Sequence, residues 1–257
     1  MNDSGRADLV VTTADPELLP EAETLAHRFA LPLLAWEETG DRLVLNVTRE
    51  RWELVERVRG RGQPVGVEFS AAIAQARRQE GLRQTLARAV GLKSGVRPQV
   101  LDATPGLGRD AFVLAALGCR VEMVERSPVI HALLENGLQR ALQAGLPEAG
   151  RLTLALGEAK ERLGRSGGDG VLAPEVVYLD PMHPERTKAA LVKKEMRQLR
   201  AVVGDDPDAE ALLHTALEGA RQRVVVKRPR LSPPLADKTA HAVVTGRTVR
   251  YDLYFTA

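Results

Sequence analysis

The chain reads as an α/β protein in which helices cover both faces of a mostly parallel sheet. An antiparallel strand pair closes the sheet at the C-terminus, and a small α/β lobe stands at the N-terminus. Three observations point to this class. From Gln99 onward, short β-rich runs alternate with stretches of helical apolar spacing. The last two runs, Ala242–Thr245 and Val249–Phe255, meet around Gly246 with no helix between them. In the first ~60 residues the pattern is looser, and Gly60, Gly62 and Pro64 interrupt it.

In chain order, Leu9–Thr12 predicts a short strand, Glu17–Phe29 a helix, and Arg42–Val47 an alternating strand. Val65–Phe69 predicts one more strand. Ala71–Val90 has helical spacing, with Gly91 and Gly95 to end it. Val100–Leu101 then leads into a glycine-containing loop, and a helix follows over Asp110–Leu117. Strands are expected at Arg120–Val124, Leu152–Leu156, Val176–Leu179 and Arg223–Lys227. The helical patterns between them cover Pro128–Gln143, Lys188–Val202 and Asp208–Ala220. The expected organisation is an N-terminal lobe over residues 1–64, a helical connector over 65–98, and the main domain over 99–257.

Composition narrows the function classes. With 257 residues, 44% hydrophobic and 27% charged, the chain is ordinary for a globular protein and carries no disorder or coiled-coil signature. Its apolar runs are too short to span a bilayer, and acids are scattered through residues 1–30, so no signal-peptide core can be drawn. Cys119 is the one cysteine, which excludes an internal disulfide and a cysteine-based zinc site. His27, His131, His214 and His241 show no ligand spacing. A cytoplasmic protein without metal, and a monomer, is expected. Net charge is only +2, yet residues 49–97 carry 11 basic against 5 acidic side chains, and residues 181–257 carry 14 against 9. Both stretches suit a polyanion, although an arginine-rich coding bias yields the same excess.

Two motifs carry chemistry. The first is Asp102-Ala-Thr-Pro-Gly106-Leu-Gly108-Arg-Asp110. Glycines allow a tight turn after a strand and a close backbone approach to a ligand. Glu125, 17 residues beyond Gly108, ends the next strand, where a carboxylate can accept from both ribose hydroxyls. Gly106, Gly108 and Ala111 also satisfy a dinucleotide pattern. Asp102 at the head of the loop, however, suits a cationic ligand and repels pyrophosphate. S-adenosylmethionine has an ammonium, a sulfonium and a ribose but no phosphate, and is the expected cofactor. The second motif, Asp180-Pro181-Met-His183-Pro184, directly follows a strand. It is similar to the Asp/Asn-Pro-Pro-aromatic motif of methyltransferases acting on amino groups of nucleobases. A base amino group is a poor nucleophile because its lone pair is delocalised into the ring. A carboxylate accepting from its N–H favours a pyramidal nitrogen, Pro181 sets the chain direction, and His183 can stack on the base.

Four blocks extend the likeness: Asp-Ala-Thr-x-Gly-Leu-Gly-Arg-Asp-Ala-Phe (102–112), Val-Tyr-Leu-Asp-Pro-Met (177–182), Ala-Leu-Val-Lys-Lys-Glu-Met-Arg (190–197) and Val-Val-Val-Lys-Arg-Pro (224–229). Taken together they resemble the ribosomal RNA small subunit methyltransferase J family. The resemblance implies a class I, Rossmann-like methyltransferase fold and transfer of a methyl group from S-adenosylmethionine to N2 of one guanosine in small-subunit ribosomal RNA. It also implies cofactor contacts at Arg109–Asp110, Glu125–Arg126, Glu158–Ala159 and Asp180. Glu158–Ala159 stands where the family pattern has a Ser-Ser pair, His183 where it has Phe, and Pro105 where it has Ala. Residues 1–60 match only loosely.

For the partner, free ribosomal RNA or the small ribosomal subunit, the expected phosphate contacts are Arg77, Arg78, Lys193, Lys194, Arg197, Lys227 and Arg228. Lys193, Lys194 and Arg197 are spaced to share part of a helix face, and Lys227-Arg228 follows the fifth main-domain strand, at the edge where open α/β sheets bind ligands. Alternatives are methyl transfer to another amino group (adenine N6, a protein amide), or a non-catalytic factor that binds S-adenosylmethionine and RNA during ribosome assembly. A dehydrogenase fits poorly with Asp102 and with the C-terminal strand pair.

Overall fold

A computed structural model describes residues 9–57, 64–165, 172–181 and 208–256. They form two compact units: residues 9–57, 64–68 and 127–137 in one, and 69–126, 138–165, 172–181 and 208–256 in the other.

In the first unit, β1 (Leu9–Thr12), β2 (Leu43–Val47) and β3 (Trp52–Glu56) form a sheet in that order. β1 is parallel to β2 and β3 antiparallel to it. Val10, Val44 and Val55 make its small core with Leu34 and Trp36. Helix α1 (Leu19–Phe29) supplies the β1-to-β2 crossover, as its spacing predicts. β3 has no counterpart in the sequence reading, because its two buried apolar residues lie among Glu53, Glu56 and Arg57. A turn closed by Thr48 creates it: the threonine hydroxyl donates to the Arg51 carbonyl (2.7 Å) and accepts from the Arg51 N–H (3.1 Å). The strand expected at Val65–Phe69 reduces to a single bridge, Val65 to Leu54.

Among the described residues, the second unit holds a seven-stranded sheet ordered β6-β5-β4-β7-β8-β10-β9. Its strands are β4 (Val100–Asp102), β5 (Val121–Glu125), β6 (Leu152–Leu156), β7 (Val176–Leu179), β8 (Arg223–Pro229), β9 (Ala242–Thr245) and β10 (Val249–Phe255). β4 to β8 are parallel, and β10 runs antiparallel to both β8 and β9, so the expected class I sheet with its C-terminal hairpin is present.

Strand alternation assigns the two faces. Leu101, Val177, Leu179, Val224 and Val226 share a core with Leu163 of α6 (Ala159–Gly164) and with Leu213 and Ala216 of α7 (Ala209–Gly219). Tyr178 points the other way, toward α4 (Arg109–Ala116), which is buried from Ala111 to Ala116. Helix α5 (Pro128–Gln143) follows β5 as predicted.

The single helix expected over 71–90 is two helices, α2 (Ala71–Glu80) and α3 (Thr85–Ala89). Gly81 takes a left-handed φ of 56°, and the Gln84 side chain donates to the carbonyls of Arg77 and Gly81, capping the break. The helix expected over 188–202 lies outside the described residues, as do His183, Lys193, Lys194 and Arg197.

The order β5-β4-β7 makes β4/β7 the point where the chain switches direction across the sheet. The crevice at the carboxyl ends of such strands is where ligands bind in open α/β folds. β4 ends in Asp102, and Asp180 directly follows β7.

Candidate active site

The site is built from the loop between β4 and α4. Glycines at 106 (φ 52°) and 108 (φ 71°) adopt the left-handed region, and a Cβ at Gly106 would meet nothing within 4 Å. The Gly108 N–H donates to the Pro105 carbonyl (2.8 Å), closing the turn that starts α4. Thr104 couples this loop to the neighbouring strand. Its N–H donates to Asp102 Oδ1 (3.2 Å), and its hydroxyl accepts from the Asp180 N–H (2.6 Å). The Ala103 N–H donates to the Tyr178 carbonyl at 3.0 Å, extending the same seam. The Asp180-Pro181 corner is therefore tied to the glycine loop by backbone geometry.

Several ionisable groups converge at this seam. Lys227 Nζ donates to Asp110 Oδ2 and to Asp180 Oδ2, both at 2.8 Å. Asp110 Oδ2 also accepts from the Tyr178 hydroxyl at 2.5 Å. Asp102 is 1% exposed. Burial pushes its carboxyl well above the usual carboxylate range, and the nearby Asp110 and Asp180 add to the rise. Burial by itself disfavours the Lys227 ammonium, but the two carboxylates outweigh it and hold the group protonated well above the ordinary lysine value. Burial likewise raises the Tyr178 hydroxyl well above its usual range and brings Tyr251, opposite Lys227 on β10, up to about 12.

Among the described residues, no cation lies within ion-pair distance of Asp102. A crevice lined by Asp102, Asp110 and Asp180 with an open glycine turn fits S-adenosylmethionine, which brings positive charge and no phosphate.

The remaining predicted cofactor residues lie at the same sheet edge. Glu125 ends β5, is 5% exposed, and accepts through its carbonyl from the Gly157 N–H (3.0 Å). Arg126 pairs with Asp208 at 3.0 Å, and Lys160 pairs with the other oxygen of Asp208 at 2.8 Å. Those partners, Lys160 first, hold the Asp208 carboxyl below its usual range. Glu158 is exposed and Ala159 buried at the start of α6. Arg109 is exposed at the start of α4.

The expected phosphate contacts separate. Arg77 is half-buried and pairs with Glu80 at 3.1 Å, while the exposed Arg78 pairs with the buried Glu148. Lys227 and Arg228, expected to contact phosphates at the sheet edge, are instead engaged within the chain. Alternation along β8 aims Lys227 at Asp110 and Asp180. Arg228, 6% exposed, donates from Nε and Nη2 to the Pro233 carbonyl (3.3 and 3.1 Å).

Sequence reasoning missed Thr104 and Tyr178. The Tyr178 signal was available, because Tyr178 and Asp180 are two apart on an extended segment and project to one face. Thr104 had no such signal, since its partner is 76 residues away.

Comparison with known proteins agrees with this geometry. The family model "Putative SAM-dependent methyltransferase" matches residues 24–256. A ribosomal RNA small subunit methyltransferase J of Chromohalobacter salexigens is 46% identical over 255 residues, covering 96% of each chain. The protein of that name from Pseudomonas aeruginosa is 44% identical over 258 residues, covering 99% of this chain and 97% of its own. The crystal structure of a SAM-dependent methyltransferase from Neisseria gonorrhoeae superposes with a TM-score of 0.69 at 34% identity, covering 96% of this chain and 95% of its own. The chain thus belongs to the ribosomal RNA small subunit methyltransferase J family of SAM-dependent methyltransferases.

Proposed function

We propose that this chain transfers a methyl group from S-adenosylmethionine to the exocyclic N2 of a guanosine in small-subunit ribosomal RNA. One observation carries the reading: the 2.6 Å hydrogen bond from the Asp180 N–H to Thr104, which seats the Asp-Pro corner against the glycine loop. The named relatives support the substrate class.

S-adenosylmethionine supplies an electrophilic methyl group when bound. Gly106 and Gly108 admit the cofactor to the backbone, and Glu125 accepts from its ribose hydroxyls. Asp102, Arg109, Asp110, Arg126, Glu158 and Ala159 are further contacts in this reading. Asp180 accepts an N–H of the guanine amino group, which turns the nitrogen lone pair toward the methyl carbon. It would take or relay the proton only as the N–C bond forms and the S–C bond breaks, with S-adenosylhomocysteine as the leaving group. Pro181 fixes the direction in which the chain leaves the site, and His183 stacks on the base. Alignment of nitrogen, carbon and sulfur supplies most of the rate. Arg77, Arg78, Lys193, Lys194 and Arg197 contact RNA phosphates in this reading.

The test is methyl transfer from labelled S-adenosylmethionine to small subunits from cells lacking this gene, with bare ribosomal RNA alongside. Label is expected in N2-methylguanosine after digestion. Label in N6-methyladenosine or in protein overturns the assignment of the acceptor. Cofactor binding without any transfer favours an assembly factor instead.

A further inference from the structure

Orientation of an amino group by Asp180 does not in itself call for a lysine, yet Lys227 reaches it from β8. The same ammonium binds Asp110, in the first turn of α4 directly after the glycine loop. Asp110 is in turn held by the Tyr178 hydroxyl, so Tyr178, Asp110, Lys227 and Asp180 form one chain of contacts. It links the helix on the cofactor side of the switch point to the carboxylate on the acceptor side. A lysine suits this task because its three donors can serve two carboxylates at once, whereas an arginine fork favours one carboxylate held bidentately.

We propose that Lys227 is a positioning residue for methyl transfer: its ammonium ties Asp180 to Asp110 and so sets the orientation in which the Asp180 carboxylate meets the acceptor amine. The inference rests on the proposed activity and on the role given there to Asp180. Among the described residues, the charged and titratable groups near Asp180 include Lys227 and Arg228 from β8, Asp110 from α4, Asp102 from β4, Tyr178 from β7 and Tyr251 from β10. Lys227 makes a direct ion pair with it. Loss of its charge removes the cation that Asp110 and Asp180 share. Repulsion then disfavours the ionised form of Asp180 and loosens its position.

The experiment compares wild type, Lys227→Met and the double variant Asp110→Asn/Lys227→Met in single-turnover transfer to small subunits, at saturating S-adenosylmethionine and across pH. Cofactor affinity is measured separately by calorimetry. Lys227→Met is expected to lower the transfer rate by about a hundredfold. Its acid limb should move to higher pH by about one unit while cofactor affinity changes little.

The double variant removes the buried charge mismatch and restores stability. A merely structural role for Lys227, neutralising Asp110, predicts that it transfers as fast as Asp110→Asn alone, measured beside it because Asp110 is itself a cofactor contact. The positioning role predicts that it stays slower than Asp110→Asn, and this variant carries the test if Lys227→Met fails to fold. A wild-type rate and pH profile in Lys227→Met, or a double variant as fast as Asp110→Asn, overturns the inference while leaving the functional reading intact. Wild-type protein that methylates no nucleoside overturns both.

Discussion

Two charge clusters sit on the neighbouring strands β8 and β10 and resolve burial in different ways. In the first, Arg250 forks onto Asp252, Nε to Oδ1 at 2.7 Å and Nη2 to Oδ2 at 3.1 Å. Its remaining donor Nη1 reaches the carbonyls of Arg230 (3.0 Å) and Ser232 (2.6 Å). Arg228, directly across the ladder from Arg250, holds the Pro233 carbonyl. Donors and acceptors are matched there, and the outcome is a braced loop over residues 230–233. In the second cluster, Lys227 faces Asp110 and Asp180 while Asp102 lies buried without an ion-pair partner among the described residues. Adjacent residues of one strand, Lys227 and Arg228, thus belong to different clusters because the pleat sends them to opposite faces. The first cluster braces the fold, with Arg228 and Arg250 sharing the single carboxylate Asp252. The second lines the crevice proposed for the cofactor.

The contrast can be broken experimentally, and the largest effect is expected at Asp180. Asp180→Ala should reduce transfer by about a thousandfold. Calorimetry should find most of the cofactor affinity retained, and near-normal turnover would remove Asp180 from its role. Next comes the Arg250–Asp252 cluster. Asp252→Ala leaves Arg250 without its carboxylate and should cost about 3 kcal/mol in urea unfolding, with turnover of the folded protein unchanged. A cost near zero would mean that the brace is ornamental.

Asp102 gives the smallest effect and the opposite sign. Its carboxyl is raised by burial, so the folded chain keeps a proton that the unfolded chain releases above about pH 4. Stability therefore falls as pH climbs from there toward the raised folded value. Asp102→Asn keeps an acceptor for the Thr104 N–H and removes that slope. It should stabilise the cofactor-free protein by about 1 kcal/mol at neutral pH and weaken S-adenosylmethionine binding. A variant that loses stability would show that Asp102 is already compensated in the free protein.

Much of this was legible before the structure. The alternation from Gln99, the two glycines of the loop and the helix-free link at Gly246 correspond to β4–β10 and the glycine turn, because each is a local preference written in a few adjacent residues. The carboxyl ends of β4, β5 and β7 could be named as the site for the same reason. β3 escaped notice because its apolar residues are few and its turn is closed by a threonine hydroxyl rather than a glycine. The break at Gly81 was hidden by apolar spacing that continues in phase across it.

Sequence alone determined the order of the main-domain strands, the family and the identity of Asp102, Glu125 and Asp180 as candidate acids. Tertiary structure alone decided which basic residues serve the site. Lys227 and Arg228 read together as phosphate contacts, yet one joins Asp110 across 117 residues of chain and the other turns to its own loop. Periodicity describes which face a side chain takes. Its partner, its burial and hence its charge state depend on segments that only folding brings within reach.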